Sequence, residues 1–362
     1  MVATLAIPVK RNPLPRIQET DFSDLEFGRH VSDHMLVCDY DAGHPLRPGW
    51  QTPQIVPYQD LQLDPASLAL HYGQTVFEGM KAFRMDDGRI NIFRIEKHYE
   101  RFVRSLHRMC MAIPPKELFI QGLKELVSLD RDWVPGKPGQ ALYIRPFVYA
   151  SEARFGVKVS SKYRFLIITG PVPELYASPI KVKVETEYIR AARGGTGFAK
   201  CGGNYGASFY PTQLAREQGY EQVLWTDATE HAYIEESGMM NAMFIIGNKL
   251  VTPPLSDSIL DGVTRDSLLA LCGELGITPE ERKISIYELE EGFRNKTLTE
   301  AFGAGTAAVI APIGVINIHG MDYSLPVYGT DSVSYRLKKK LSDIRTGISA
   351  DIFEWNTILK NE

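Results

Sequence analysis

The sequence is most distinctive at GGTGFAKCGGNYG (194–206), where six glycines in thirteen residues surround one lysine, Lys200. So many glycines are incompatible with the interior of a helix or strand, because glycine offers no side chain to pack and loses the most backbone freedom on folding. Glycines let a backbone approach a ligand closely, and a lysine held there, partly out of water, can attack a carbonyl as an amine. A flexible loop with a solvated lysine is the local alternative. A Walker-type phosphate loop is excluded, because no Gly-Lys-Ser/Thr follows.

The chain around this stretch is longer than one hydrophobic core usually supports, and its 362 residues predict two domains. Residues 170–179 contain three prolines and are the predicted boundary, since prolines at this density prevent a continuous helix or central strand. Helical and strand-like patterns interleave without a regular βαβ order, so we expect an α+β fold. The predicted parts are an irregular N-terminal arm (1–26), a small α+β domain (27–169), a linker (170–179) and a large C-terminal domain (180–362).

The composition is that of a globular protein. Apolar content of 44% and charged content of 23% are near average, and a formal net charge of −4 gives no net attraction to nucleic acid or anionic lipid. The longest apolar run near the start, residues 3–9, is too short for a secretory signal, and no run approaches a membrane span. The four cysteines and eight histidines show neither disulfide nor metal-ligand spacing. We expect a cytoplasmic protein without a metal, nucleic-acid or membrane partner.

Three further segments carry groups suited to a charged ligand. The turn GAGTAA (303–308) offers backbone amides and the Thr306 hydroxyl to an anion, while the strand-like residues after it argue against a dinucleotide fingerprint. Gly262 precedes an amphipathic helix whose first N–H groups would bind phosphate well. Glu235 and Glu236 stand beside a turn that leads into an apolar strand, and without context they are ordinary surface carboxylates.

Together these segments resemble the branched-chain aminotransferases, members of the fold-type IV pyridoxal-phosphate enzymes. The resemblance runs across most of the chain and is carried by the motifs GQTVFEGMKAF (73–83), YIRP (143–146), KCGGNY (200–205), GMMN (238–241) and VTPP (251–254). It implies a two-domain fold like that of D-amino-acid aminotransferase, a homodimer, and pyridoxal 5′-phosphate in the interdomain cleft, held mainly by the C-terminal domain. The implied reaction is the reversible ping-pong transfer of an amino group from leucine, isoleucine or valine to 2-oxoglutarate.

The resemblance assigns the covalent and electronic roles at the cofactor. Lys200 corresponds to the Schiff-base lysine, which then moves the proton at the substrate Cα. Glu236 corresponds to the carboxylate that keeps the ring nitrogen protonated, and Glu235 is the alternative. Tyr205 would donate a hydrogen bond to the phenolate oxygen of the cofactor.

The resemblance also assigns the phosphate contacts. Arg101, expected on the polar-leaning side of a helix over 96–109, matches the phosphate arginine, because its fork of donors suits a dianion. Arg104 and Arg108 are nearby alternatives. The other implied phosphate contacts are the backbone amides of Val263 and Thr264 and the hydroxyl of Thr306.

The implied substrate pocket joins an aromatic wall to groups that receive carboxylates. Phe155 and Val157 would reach it from the neighbouring subunit, and Arg145 and the Ala307 amide would receive carboxylates. An arginine beside apolar side chains fits a pocket that takes glutamate and an aliphatic substrate in alternate half-reactions. The assigned wall residues are Phe27, Tyr72, Phe77, Tyr143 and Tyr176.

Two other readings of the family pattern remain open. A D-amino-acid transaminase or an aminodeoxychorismate lyase would share the lysine and glutamate, although the YIRP motif and the chain length argue against both. A non-catalytic protein that keeps the fold is the other alternative. Two departures from relatives are Met239 in the GMMN motif and the sequence AAVIAP (307–312), which lacks the Cys-x-x-Cys of some mammalian relatives, so no redox switch is expected there.

Overall fold

The computed structural model describes residues 5–176 and 178–360. The first four residues of the predicted arm, Ala177 of the predicted linker and the last two residues of the predicted C-terminal domain lie outside the described residues. The chain forms two compact units: one comprises the chain up to Glu174, the stretch Ala199–Gly203 and the chain from Arg345 onward, and the other comprises Leu175–Phe198 and Asn204–Ile344.

The first unit is built on one antiparallel sheet whose strands differ in length. Its central strands run in the order β18-β6-β5-β7-β8-β1-β2, with β3 beside β1 and β4 beside β7. These strands are β1 (His34–Asp41), β2 (Gly49–Trp50), β3 (Gln54–Pro57), β4 (Thr75–Phe77), β5 (Met80–Arg84), β6 (Ile90–Phe93), β7 (Ala141–Ala150), β8 (Lys162–Val172) and β18 (Asn356–Ile358). The helices are α1 (Leu68–Tyr72), α2 (Ile95–Arg108) and α3 (Lys116–Leu129), and two short 3-10 helices span Arg16–Glu19 and Arg131–Trp133.

Helix α2 forms because its apolar residues recur at helical spacing. Ile95, Phe102 and Leu106 lie on one face and are each at most 2% exposed. They pack into the main core of this unit, where the Phe102 ring centroid lies 5.6 Å from that of Phe119 and 6.1 Å from that of Phe165. The core thus fixes α2 against the sheet, and with it every polar residue that the helix carries.

The second unit contains a mixed sheet in the order β11-β10-β9-β16-β15-β12-β13-β14, with β17 beside β16. Its strands are β9 (Ile180–Glu185), β10 (Gln222–Thr226), β11 (Ile234–Ser237), β12 (Met240–Ile246), β13 (Lys249–Thr252), β14 (Thr278–Glu281), β15 (Leu298–Gly305), β16 (Val309–Ile318) and β17 (Met321–Ser324). The remaining helices are α4 (Gly203–Gly206), α5 (Phe209–Glu217), α6 (Val263–Glu274), α7 (Ile286–Arg294) and α8 (Val333–Thr346). Mixed sheets with interleaved helices confirm the α+β prediction.

Three expectations about the ends of the domains differ from the structure. Residues 199–203 and the chain from Arg345 onward belong to the first unit and not to the C-terminal domain, because residues 200–202 lie beside β4 and β18 pairs with β6. The predicted linker begins inside β8, where Pro171 pairs with Leu142. Pairing of β8 with β1 ends at Ile168, so Pro171 has a strand on one side only, where a residue without an N–H is tolerated.

The N-terminal arm is irregular, as expected, but it is packed rather than loose. Ile7 is 9% exposed and belongs to the core of the first unit. Val9 forms a parallel bridge with Ile55, whose N–H donates to the Pro8 carbonyl at 2.9 Å. Within residues 5–176 and 178–360, no helix combines the length and the apolar character that crossing a bilayer requires.

Candidate active site

Lys200 lies in a short segment, residues 200–202, whose backbone is hydrogen-bonded to β4 in the first unit. The Phe77 N–H donates to the Lys200 carbonyl at 3.0 Å, and the Gly202 N–H donates to the Thr75 carbonyl at 3.2 Å. A Cβ on Gly202 would come within 2.9 Å of Thr75 Cγ2, so glycine allows this close approach. The glycine-rich stretch therefore holds its lysine at a fixed place, and the flexible-loop interpretation is wrong.

The Lys200 amine and the Arg145 guanidinium both lie over the same aromatic ring, that of Phe77. Lys200 Nζ is 4.7 Å from the ring centroid of Phe77, and Arg145 Cζ is 4.7 Å from the same centroid. Arg145 Nη2 donates to the Tyr143 hydroxyl at 3.1 Å, and the Phe27 ring meets that of Tyr143 edge-on at 5.0 Å. The structure thus brings together five residues that the sequence singled out.

Beside this group lies a cavity of about 160 Å³ whose walls include Phe27, Tyr143 and Arg145. Arg145 Nε is buried and has no hydrogen-bond partner among the described residues. Gly79 makes room for Tyr143, since a Cβ there would lie 2.0 Å from the tyrosine hydroxyl oxygen. The cavity combines apolar walls with a buried cation whose hydrogen bonding is incomplete.

Arg101 is buried rather than surface-facing, with 4% exposure. Its Nε donates to Glu78 Oε1 at 2.6 Å and its Nη2 to Glu78 Oε2 at 2.8 Å, while His98 Nδ1 lies 2.9 Å from Glu78 Oε2. Two nitrogens of the fork expected for a phosphate, Nε and Nη2, therefore bind Glu78. Of the two alternatives, Arg104 is exposed and Arg108 half-buried.

Burial alone would raise the pKa of the Glu78 carboxyl, but the Arg101 guanidinium and the His98 ring lower the pKa of Glu78 well below its ordinary range. Burial lowers the pKa of His98, so the ion pair is that of Glu78 with Arg101. A pKa depressed in the folded state adds stability above the unfolded value, and this stability disappears as the pH falls toward the folded value.

We expect Glu78→Gln to lower the free energy of unfolding at pH 7 by about 3–5 kcal/mol, because it leaves a buried guanidinium without its counter-charge. Below about pH 4.3, where unfolded glutamate is protonated, the wild type loses this advantage and the two stabilities converge. Urea unfolding from pH 7 to pH 3 measures the difference. A constant gap between the two proteins across that range would contradict the assigned ionisation.

In the second unit, Glu236 of β11 is a buried carboxylate with hydrogen-bond and ion-pair partners. It is 3% exposed, and its Oε1 accepts the Leu260 N–H at 2.8 Å and the Asn241 side-chain amide at 3.3 Å. Arg190 Nε lies 3.0 Å from Glu236 Oε2, an ion pair without hydrogen-bond alignment. Glu235 instead accepts a hydrogen bond from the Ser258 hydroxyl, and burial raises the pKa of Glu235. Glu236 is thus the carboxylate that is paired with a cation, Arg190.

Asn241 connects Glu236 to the two predicted anion-binding turns. Glu236 pairs with Asn241 across β11 and β12, and Asn241 pairs with Ala304 across β12 and β15. A Cβ on Gly262 would lie 1.9 Å from Asn241 Oδ1, so the start of α6 approaches the same side chain closely. The first residues of α6, Val263 and Thr264, are both buried.

The turn with Thr306 and Ala307 joins β15 to β16, and the glycines before it lie in β15 rather than in the turn. Because Ala304 pairs with Asn241, this turn follows directly on the row that contains Glu236. The sheet therefore gathers the carboxylate, the helix start and the turn hydroxyl in one region of the second unit.

The other predicted substrate residues lie elsewhere in their units. The Tyr72 hydroxyl donates to the Phe155 carbonyl, and the side chains of Phe155 and Val157 are 85% and 80% exposed. Tyr176 packs against the core of the second unit and has a φ of 57°. Tyr205 lies in the single helical turn α4, which interrupts the segment where no element was expected.

Five of the residues in the site were not singled out by the sequence: Glu78, His98, Arg190, Asn241 and Ser105, whose hydroxyl accepts the Lys200 N–H at 2.9 Å. Glu78 and Asn241 stand inside motifs but carry no local sign of their partners, and Arg190 is a lone cation in a loop. Ser105 could have been suspected only as a buried hydroxyl on the apolar side of α2. No local pattern identifies such partners, because Glu78, Arg190 and Ser105 act on residues far away in sequence. Asn241 meets Glu236 through the pairing of β11 with β12.

Residues 75–316 match the model of the class IV aminotransferases, and the chain belongs to this family. It is a transaminase, and its cofactor is pyridoxal 5′-phosphate. Branched-chain-amino-acid transaminase 1 of Bacillus subtilis is 46% identical over 342 residues, or 93% of this chain and 95% of that protein. The branched-chain-amino-acid aminotransferase of Mycolicibacterium smegmatis is 40% identical over 347 residues, or 94% of this chain and 93% of that protein.

Solved structures show the same fold. The branched-chain aminotransferase of Thermoproteus uzoniensis with norvaline aligns with a TM-score of 0.73 and 25% identity, covering 90% of this chain and 100% of that chain. The branched-chain amino acid aminotransferase of Escherichia coli aligns with a TM-score of 0.71 and 25% identity over 90% of this chain and 99% of that chain. The expectation of a fold-type IV enzyme is confirmed.

The side chains present fit pyridoxal phosphate. A positioned primary amine can bind an aldehyde, a buried carboxylate beside an arginine can hold a protonated ring nitrogen, and a helix start with a neighbouring hydroxyl can hold a phosphate. In the described residues, no group of three histidine, cysteine, aspartate or glutamate side chains is arranged to hold a metal ion.

Proposed function

We propose that this transaminase moves amino groups between branched L-amino acids and 2-oxoglutarate. The observation that carries the proposal is the position of Arg145, with its guanidinium over Phe77 and Tyr143 at the wall of an otherwise largely apolar cavity. Such a wall suits leucine, isoleucine or valine, and the cation suits the γ-carboxylate of glutamate. The relatives of Bacillus subtilis and Mycolicibacterium smegmatis, which are branched-chain aminotransferases, support the same substrates.

The two substrates make opposite demands on one pocket. An aliphatic side chain gains from leaving water, at about 25 cal/mol per Å² of buried apolar area. A carboxylate needs a charge-assisted hydrogen bond, for which a guanidinium is well suited. Arg145 meets both demands because its charge is spread over a planar group that already lies against two rings.

We assign the cofactor contacts to the residues that the sequence identified. Lys200 would hold the cofactor covalently, Glu236 its ring nitrogen and Tyr205 its phenolate oxygen. Its phosphate would be bound by Arg101, by the amides of Val263 and Thr264, and by the Thr306 hydroxyl. When bound, pyridoxal phosphate supplies an electron sink for the pair left on the substrate Cα.

The chain's own catalytic work is proton transfer and orientation. Lys200 Nζ, placed over Phe77, removes the proton from the substrate Cα as a general base and returns it in the reverse half-reaction. Arg145 and the Ala307 amide receive the two carboxylates of glutamate. Phe27 contributes apolar wall. The family resemblance assigns Tyr72 and Tyr176 to the same wall.

A homodimer in the cytoplasm completes the proposal. Phe155 and Val157 are large apolar side chains at 85% and 80% exposure, which fits a loop that reaches the pocket of a second copy. The cysteines at 38, 110, 201 and 272 are all unpaired, and three are buried, which fits a reducing compartment.

Glutamate formation from 2-oxoglutarate with a panel of L- and D-amino acids tests the substrate assignment. We expect turnover of L-leucine, L-isoleucine and L-valine and little of any D-amino acid. Turnover of D-alanine without L-leucine would identify a D-amino-acid transaminase instead. Absence of visible cofactor absorbance after addition of pyridoxal phosphate would favour a non-catalytic protein.

Arg145→Met is expected to lower kcat/KM for 2-oxoglutarate by about 10- to 150-fold, because it removes a charged hydrogen bond worth about 1.5–3 kcal/mol. The value for leucine should change by less than about threefold, since methionine preserves most of the apolar contact. Single-turnover kinetics of each half-reaction measures both constants. Arg84→Met is the control. Arg84 lies on β5 of the same sheet, but its guanidinium binds the Val134 and Arg131 carbonyls. Equal losses for both substrates would refute the dual role of Arg145.

A further inference from the structure

The backbone of Lys200 is held on both of its polar atoms by the first unit. Its carbonyl accepts the Phe77 N–H at 3.0 Å, and its N–H donates to the hydroxyl of Ser105 at 2.9 Å. Ser105 is 0% exposed and lies on α2, one turn after Arg101. The lysine is therefore held between a strand and a helix, although the segment around it is rich in glycine.

The Ser105 hydroxyl is itself directed by the helix. It donates to the Arg101 carbonyl at 3.0 Å, four residues earlier, which is the usual back-bond of a helical serine. With its proton committed there, its oxygen lone pairs are available to the Lys200 N–H. The same α2 residue, Arg101, is fixed at its side chain by Glu78. The acceptor for Lys200 thus stands on a rigid and buried part of the fold.

From this arrangement we propose that Ser105 is a positioning residue for Lys200: its hydroxyl fixes the lysine backbone so that Nζ stays over the Phe77 ring, 4.7 Å from its centroid. This inference rests on the proposed role of Lys200 as base and covalent anchor. Strand β4 holds the carbonyl side of Lys200, and the Ser105 hydroxyl holds its N–H. A shift of about 1 Å in a reacting group can cost about a hundredfold in rate.

Ser105→Ala removes the acceptor without adding bulk. We expect kcat for leucine to fall about 10- to 100-fold while KM changes less than about twofold, since the substrate contacts are untouched. Ser105→Thr retains a hydroxyl that can make the same back-bond and should recover most of kcat. Ser334→Ala is the matched control: it removes another buried helical hydroxyl, bound to Glu300, and should leave kcat unchanged. A wild-type kcat in Ser105→Ala would overturn the proposal.

A second measurement separates positioning from general damage. Apoprotein is mixed with pyridoxal phosphate, and visible absorbance follows the capture in which the Lys200 amine condenses with the aldehyde and releases one water. Ser105→Ala should slow capture about tenfold or more, whereas in a Lys200→Ala background it should change the non-covalent affinity for pyridoxal phosphate less than about twofold. An equal loss in both backgrounds would show a merely structural role and refute the inference.

The two levels of the proposal fail differently. If the wild type captures pyridoxal phosphate through Lys200 but does not transaminate leucine, the substrate assignment fails while the effect of Ser105 on capture is still measured. If leucine is transaminated and Ser105→Ala captures the cofactor at the wild-type rate, only the role of Ser105 is refuted. Thermal melting of each variant identifies any that does not fold. If Ser105→Ala does not fold, Ser105→Thr takes its place, and its rate of cofactor capture is compared with its non-covalent affinity in the Lys200→Ala background.

Discussion

Lys200→Ala is expected to lower kcat by about four orders of magnitude, the upper end of what a positioned general base contributes. The variant loses the only amine that the structure places over Phe77 in the described residues, at 4.7 Å from the ring centroid. It also loses the covalent hold on the cofactor. Arg145, which lies over the same ring, is a guanidinium with donors only and does not replace the lysine amine as a base.

Glutamate formation with leucine and 2-oxoglutarate measures this effect, and visible absorbance of the purified protein reports the covalent bond. Lys183→Ala is the control, since Lys183 lies on the surface and hydrogen-bonds Gln218 at 3.0 Å. Addition of a small primary amine such as methylamine should restore part of kcat in Lys200→Ala, because it supplies the missing base from solution. Full activity in the alanine variant without added amine would refute the mechanism.

The sequence predicted the elements that depend on local pattern. The helical stripe with Phe102 and Leu106 located α2 within one or two residues. Composition and motif order were enough for the α+β class, because interleaved helices and strands exclude an all-α or all-β fold. These features are determined by neighbours close in the chain.

The unit to which Lys200 belongs could not be predicted in this way. Its position depends on hydrogen bonds with Phe77 and Ser105, which are far away in sequence, and its glycine neighbours carry no periodic pattern. The strand Asn356–Ile358 has three residues, too few for an alternation to be visible. Both therefore appeared in the wrong domain when only the sequence was considered.

The candidate site was predictable in residue type but not in orientation. Motifs identified Arg101 as a cation for a phosphate, yet two of its nitrogens bind Glu78. Which of two adjacent carboxylates would meet a ring nitrogen was also left open by sequence, because successive residues of a strand face opposite sides and the register sets which side is buried.

Glu236→Gln is expected to lower kcat by about 10²–10³-fold, the usual cost of removing one preorganised electrostatic group. Glutamine can still accept the Leu260 N–H, so the fold around it should persist, but it cannot hold a proton on the ring nitrogen by charge. Without that proton the ring withdraws electrons from the substrate Cα less strongly. The same change leaves Arg190 without its carboxylate partner.

Glu235→Gln is the matched comparison, since it makes the same chemical change one residue away in β11. Glu235 faces Ser258, and burial raises its pKa, so loss of its charge should change kcat less than about threefold. Half-reaction kinetics with leucine measures both variants, and visible absorbance reports whether each still holds the cofactor. A larger loss in Glu235→Gln than in Glu236→Gln would reverse the assignment, because only the carboxylate that meets the ring nitrogen affects the electron sink itself. The two variants thus show which of the two neighbouring carboxylates acts through its charge, because both keep the length of the side chain and lie one residue apart in β11.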